Sequence, residues 1–250
     1  MTKYLPILFV FLFTHSSCDV LNKAASDAAN NFLNDGSKDG QGTSLTNTEV
    51  ISGLKEALNV GIQNSVSIAS VTDGFLGNNN IKLPFPPDAL KVKEKALDLG
   101  LNGQVEKFET TLNRAAEEAC KEALPIFKTA ITNMSFSDGF AILNGGNSAA
   151  TRYLKEQTTE ELKSAFAPKV KEAISKVKLT DYWSPLVNKY NTAMIITGGD
   201  KINPDLDMFV TQKAIEGLFI LVEAEENKIR LDPMARVTDL LNKVFGSLTN

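Results

Sequence analysis

The chain has 250 residues, 43% hydrophobic and 22% charged, an ordinary globular composition with enough length for one good-sized core or two small ones; one domain is expected. Its 26 Lys and Arg stand against 30 Asp and Glu, a formal net charge of -4 with no run of like charges, which argues against a nucleic-acid partner, since such binding rests on a basic stripe. Among the aromatic residues 14 Phe outnumber 4 Tyr and the single Trp183, which favours burial over polar recognition at an interface.

The amino terminus sets the expected compartment. Lys3 is followed by LPILFVFLF, Leu5 to Phe13, which is too short to span a bilayer and suits the hydrophobic region of a secretory signal. Residues 1–17 are therefore expected to be removed. The next stretch, Thr14-His15-Ser16-Ser17-Cys18, resembles the lipobox of bacterial lipoproteins, in which the cysteine is acylated and becomes the first mature residue. His15 stands where that motif prefers Leu, and ordinary cleavage after Ser16 is the alternative reading. Carrying two or three acyl chains, Cys18 would tether the domain to a membrane without crossing it. The expected location is then membrane-anchored and periplasm-facing. Cys120 would be the remaining thiol, so no internal disulfide is expected, and the only histidine, His15, would be lost with the signal.

From Asp19 to Ser44 the chain is rich in Asn, Asp, Ser, Gly and Ala, with too little large apolar surface to offset ordering entropy, and residues 18–45 read as a flexible tether. The helical domain is expected over 46–250. Thr46-x-x-Glu49 has capping-box spacing, and Val50, Leu54, Leu58 and Ile62 follow at four-residue steps, which predicts a helix to about Ala69. Thr72 to Pro87 reads as an irregular connector whose Phe75, Leu76, Ile81, Leu83 and Phe85 pack down onto the domain. Asp88 opens a helix that Gly100 stops. A long helix is expected from Gln104 to Met134, with Pro125 kinking it or dividing it in two.

Ser135-x-x-Asp138 starts a short helix ended by Gly145-Gly146, and Asn147 caps the next one. Thr158-x-x-Glu161 predicts a separate helix with Pro168 as a kink, and Thr180 caps a helix holding Trp183. Asn203-Pro204 is the expected start of a helix that is apolar nearly all round from Ala214 to Ala224, with Gly217 admitting a close helix neighbour. Asp232-Pro233 repeats the cap-plus-proline start for a helix through Phe245. No stretch alternates like a strand. The fold class expected is all-α, a single compact domain of about eight or nine helices.

The segments GLKEAL (Gly53 to Leu58), LNRAAEEA (Leu112 to Ala119), FSDGFAIL-GG (Phe136 to Gly146), AAT-YL (Ala149 to Leu154), KAIEGLF (Lys213 to Phe219) and IR-DP-AR-TDLL-KVFG (Ile229 to Gly246) resemble the bacterial family called domain of unknown function 4197. The resemblance runs from about Thr48 to Gly246. It implies a helical domain exposed to the envelope or periplasm, often behind a signal sequence, with no assigned activity and no established functional residues. Gly139 stands where the family often has alanine.

Without a histidine in the mature chain, Ser-His-Asp and Cys-His nucleophile arrangements and His metal sites are excluded. Cys120 reads as a buried, inert thiol. Asn203-x-Asp205-x-Asp207 begins like a calcium loop, but Met208 and Ala214 stand where such a loop needs Gly and Glu, so capping is the reading adopted. Gly145-Gly146-Asn147 reads as a helix stop and not an anion cradle. Glu117-Glu118 and Glu223, Glu225 and Glu226 read as solvated faces, with Glu226 and Arg230 spaced as an i, i+4 pair. The candidate polar cluster is Asn113, Arg114, Asp138, Thr151, Arg152, Tyr153, Asp232, Arg236 and Asp239, all inside the resembling blocks, read first as ties between helix ends and second as ligand contacts. No cofactor or metal is expected. The leading expectation is a non-enzymatic binding or scaffolding module with a membrane anchor and a protein partner in the envelope. The alternatives are a carrier of an apolar small molecule or lipid and a hydrolase using carboxylate, Ser or Lys chemistry.

Overall fold

The computed structural model describes residues 46–246 apart from 99, 177, 178, 204 and 237. The signal sequence, Cys18 and the tether lie outside the described residues, as do Pro204 and Val237. From Thr48 on, the described residues fall in one compact unit. They hold nine α-helices and no strand: α1 (Asn47–Ala69), α2 (Leu90–Asp98), α3 (Asn102–Cys120), α4 (Ala123–Asn133), α5 (Phe136–Asn144), α6 (Ala149–Lys176), α7 (Leu179–Thr197), α8 (Leu206–Leu231) and α9 (Asp239–Gly246). Two 3₁₀ turns, Pro87–Ala89 and Pro233–Ala235, precede α2 and follow α8.

The fold is built on α6 and α8, which pack on each other and both on α3; α4, α5 and α7 lie against α6, and α2 lies against α3. The core follows the apolar stripes. In α6 the residues Leu154, Leu162, Phe166, Val170 and Ile174 are all buried, and in α8 so are Val210, Ala214, Leu218 and Val222. Helix α1 is held through its small residues: a Cβ on Gly61 would lie 3.6 Å from Glu225 Cβ, and one on Gly53 only 2.8 Å from Val244 of α9.

Pro125 divides the long segment into α3 and α4. A proline has no N–H and its ring crowds the carbonyl four residues back, here that of Lys121. The chain leaves the helix at that point, with the Lys121 and Glu122 amides turning to carbonyls three residues back, at 3.3 and 3.1 Å. The capping box at α5 forms as its spacing predicts: Ser135 Oγ accepts from the Asp138 amide at 3.1 Å and Asp138 accepts from the Ser135 amide at 3.0 Å.

Four boundaries depart from the sequence reading. Thr158 opens no new helix. It lies inside the 28-residue α6, where its hydroxyl donates to the Leu154 carbonyl at 2.7 Å. The apolar face through Leu154, Leu162 and Phe166 continues without a breaking residue, so the box spacing has no terminus to serve. Thr180 likewise falls one residue inside α7, which begins at Leu179. Asp205, not Asn203, caps α8, accepting from the Asp207 and Met208 amides at 3.0 and 3.3 Å, while Asn203 accepts from the Asp205 amide one step earlier. Asp232 accepts from the Met234 amide at 2.9 Å but supports only a 3₁₀ turn, and α9 starts at Asp239.

Gly217 admits the connector and not a neighbouring helix. A Cβ there would stand 2.6 Å from Phe75 Cε1 and 3.2 Å from Ile81 Cβ. Phe75, Ile81, Leu83 and Phe85 are buried, so the connector is part of the core, as its apolar content predicts. Gly217→Ala should destabilise the domain by about 1 kcal/mol, because overpacking of roughly 1–3 kcal/mol outweighs the helix-propensity gain of about 1 kcal/mol. Urea midpoints of the two proteins at equal m-value measure the difference.

Candidate functional site

Of the polar residues singled out in the sequence, Asn113, Arg114 and Thr151 fall into two groups on different helices, each organised by a buried glutamate, and the other six lie outside both. The first lies on α3. Glu117 is 4% exposed, and its Oε1 accepts from the backbone amides of Phe75 and Leu76 at 3.1 and 3.2 Å. Its other oxygen accepts from Arg114 Nη1 at 2.6 Å, and Arg114 Nη2 reaches Asp73 Oδ1 at 2.6 Å. One turn away, fully buried Asn113 pairs with the backbone of Leu83, accepting from its amide at 2.8 Å and donating to its carbonyl at 3.3 Å. Together Asn113, Arg114 and Glu117 fix the connector at three points. Asp73 sits in the left-handed region at φ 67°, which a short polar side chain tolerates better than a bulky one. The hydrogen bonds that it donates to Glu117 and Asp73 push the Arg114 pKa up, so it stays cationic. Arg114 therefore meets Glu117 and Asp73, and not Asp138.

The second group surrounds the start of α6. Glu226, on α8 and 9% exposed, accepts from the Ala150 amide at 3.0 Å and, through its other oxygen, from the Thr151 amide at 2.9 Å and the Thr151 hydroxyl at 2.8 Å. Arg230 Nε donates to the same carboxylate at 3.0 Å and Nη2 to the Ile142 carbonyl of α5 at 2.9 Å. A helix start offers free amides and the positive end of the peptide dipoles, a ready place for an anion. In this chain the anion is internal. Glu226 occupies the place that an exogenous anion would take, and the capping role expected of Asn147 passes to it. The adjoining Ser148, at φ 61°, donates its hydroxyl to Glu223.

The remaining residues finish helix ends. Arg152 donates to the carbonyls of Asn147 and Gly145 at 3.1 and 3.3 Å. Buried Arg236 donates to the Ile229 and Arg230 carbonyls at 3.1 and 2.8 Å, closing the end of α8. Asp138 and Asp232 cap, Asp239 is exposed in the first turn of α9, and partial burial with the Asp138 carboxylate nearby pushes the Tyr153 phenol up.

Two corrections follow for the acidic residues. Glu117 and Glu226 are not on solvated faces; each is buried with a cationic partner, which is the condition under which a charge is tolerated inside. The sequence held a signal for both. Glu117 shares a stretch with the fully buried Ala115, Ala116 and Ala119, and Glu226 lies between the buried Val222 and Ile229, so each acidic side chain interrupts an apolar face.

Cys120 is fully buried, and burial pushes its thiol up, with the Glu117 charge adding to the effect. Maleimide should leave it unmodified in the native state and label it once the domain is unfolded in guanidinium, a difference read from intact mass against time.

The cavity between α1, α6, α8 and α9, bordered by Gly61, Leu154, Glu226 and Phe245, measures about 30 Å³, room for a water or two. Two wider depressions are open to solvent, one of about 430 Å³ along α3 beside Ala173 and one of about 570 Å³ at the end of α1 beside Asp73. Among the described residues no group of His, Cys, Asp and Glu is placed to hold a metal ion, and no helix is long and apolar enough to cross a membrane.

No curated protein and no solved structure matches this chain. A family model does match, over residues 44–246, and it covers both glutamate clamps and all nine described helices, so the chain belongs to the family described as "Protein of unknown function (DUF4197)".

Proposed function

We propose that the chain is an exported, membrane-tethered helical module that binds a protein partner in the cell envelope through its outer surface and does not catalyse a reaction. The observation that carries this reading is the direction in which its polar and apolar groups face. Glu117, Glu226, Arg114, Arg230 and Arg236 are engaged with the chain's own backbone and with one another, while Ile196, Met234 and Leu231 stand 83%, 89% and 71% exposed. Large apolar side chains left in water are available to a partner, and polar groups already saturated have little left to offer a substrate. A carrier of a lipid or apolar molecule would need an enclosed pocket of roughly 300 Å³ or more. The cavity bordered by Gly61, Leu154, Glu226 and Phe245 is about 30 Å³.

The tether rests on Cys18 and the apolar run before it. Intact mass of the membrane-extracted protein should show a chain that begins at Cys18 with an added diacylglyceryl group. The Cys18→Ala variant should then accumulate unprocessed or leave the membrane fraction. A soluble, unmodified wild-type product would defeat the anchor. Photo-crosslinkers placed at Ile196 and Met234 in cells test the binding role, and they should yield discrete adducts that a crosslinker at exposed Glu160 does not.

A further inference from the structure

Helix α1 ends at Ala69 and the chain turns at once into the connector, leaving a depression of about 570 Å³ that Ser67, Ile68, Val71, Asp73, Gly74 and Asn78 help to wall. A Cβ on Gly74 would run into the Ile68 carbonyl oxygen and stand 2.9 Å from that of Ala69, so this part of the wall is bare backbone. The charge here is one-sided. From Gln63 to Ile81 the sequence has no Lys, Arg or His, and Asp73 is its only charged residue. A helix C-terminus carries a partial negative charge that a cation in the last turn offsets, and the last turn of α1 has none. Asp73 adds a full negative charge. Its Oδ1 meets Arg114 at 2.6 Å, but Arg114 also serves Glu117 at 2.6 Å, so two carboxylates share one guanidinium and a negative charge is left over. The Asp73 side chain is 60% exposed, and its second oxygen accepts nothing from the described residues. Ile68 and Val71, 42% and 54% exposed, border the same depression.

We propose that this depression receives a lysine or arginine side chain of a protein partner, its charged head at Asp73 and the end of α1 and its alkyl stem along Ile68 and Val71. The occupant is argued from charge and shape together. A long cationic side chain is the protein group that combines an apolar stem with a positive head, as a carboxylate rimmed by apolar side chains requires. An acidic segment would meet like charge, and a purely apolar one would cover Asp73 without balancing the surplus. The bond to Arg114 already holds the Asp73 carboxylate in place, so little of it has to be ordered on binding. This deepens the reading of a partner-binding module, on which its biological role rests, and it involves neither Ile196 nor Met234.

The test is a titration of the isotope-labelled full-length protein, followed by its amide chemical shifts, with an acetylated and amidated Leu-Lys-Leu tripeptide and with Leu-Gln-Leu of the same build. The lysine peptide should shift the amides of Ser67 to Asn79 and saturate in the millimolar range, with the glutamine peptide bound about threefold or more weakly, the scale of an exposed ion pair. Asp73→Asn should bring the lysine peptide down to the glutamine level. Asparagine tolerates the φ of 67° at this position and can still accept from Arg114, so the clamp on the connector stays closed. Val71→Ser leaves that clamp untouched and should weaken both peptides alike. Higher ionic strength should close the gap between the peptides in the wild-type protein, because the pair is exposed. Equal binding of the two peptides to the wild-type protein, an unchanged difference between them in Asp73→Asn, or shifts centred elsewhere on the domain would each overturn the proposal. Such a failure leaves crosslinks at Ile196 and Met234 standing, and absence of those crosslinks leaves this titration unaffected.

Discussion

Glu226→Ala should lower the unfolding free energy by about 3–5 kcal/mol, the cost of removing one partner from a buried ion pair, and the melting temperature by roughly 6–20 °C for a domain of this size. The magnitude follows from what is left behind. Ala150 and Thr151 lose the acceptor for two amides at the start of α6, Thr151 loses the acceptor for its hydroxyl, and Arg230 keeps a buried charge without its counter-ion. Each such group costs about 1–3 kcal/mol when buried unsatisfied, so relaxation and water entry must recover part of the sum. Glu226→Gln keeps one acceptor oxygen and the shape, and should fall between the two. Thermal unfolding followed by circular dichroism ranks the three proteins. A Glu226→Ala variant within about 0.5 kcal/mol of wild type, the range of an ordinary surface substitution, would show that the cap contributes nothing.

Glu117→Ala should act more locally. Its carboxylate is the acceptor for the Phe75 and Leu76 amides and for Arg114, so its loss frees the connector from α3 while Asn113 still holds Leu83. Arg114 is about a third exposed, so water screens the charge left behind, and the cost comes mainly from the two connector amides that lose their acceptor, about 1–3 kcal/mol each. Part of it should appear as opening of the connector before global unfolding, because a segment anchored at fewer points opens independently. Hydrogen exchange should show Phe75 and Leu76 losing protection ahead of the α6 and α8 cores, and limited proteolysis should nick residues 70–82. Equal loss of protection across the domain would mean that the connector and core open together.

Most of the helical architecture is legible in the sequence, because apolar residues at three- and four-residue steps reflect a face that must be buried. The starts of α1 and α5 and the division at Pro125 follow from local chemistry alone, since a cap and a ring clash act within one turn. Thr158 shows where local chemistry misleads. Its spacing with Glu161 is that of a capping box, yet the continuous stripe through Leu154 and Phe166 packs on α8 as one piece, and burial over about three turns outweighs a cap. The burial of the two glutamates was legible, but their partners were hidden for the opposite reason. Glu226 meets Ala150 and Thr151 across 76 and 75 residues, and Glu117 meets Phe75 across 42, so no window of sequence contains both partners. The sequence showed that the arginines and aspartates sit near helix ends; which end each one closes depends on how α6 and α8 cross.

The last two turns of α8 gather several attachments in a few residues: Glu226 on the start of α6, Arg230 on the end of α5, and the Ile229 and Arg230 carbonyls held by Arg236. A crossing of this kind behaves mechanically as a rivet, since no single strut can swing away without straining the others. Thermal motion in the α5–α6 turn should therefore be correlated with that of the α8 end, although Gly145 and Gly146 give the turn the local freedom to move alone. A chain with glycines at a bend is usually bought as a hinge; here the rivet turns the same bend into a fixed corner.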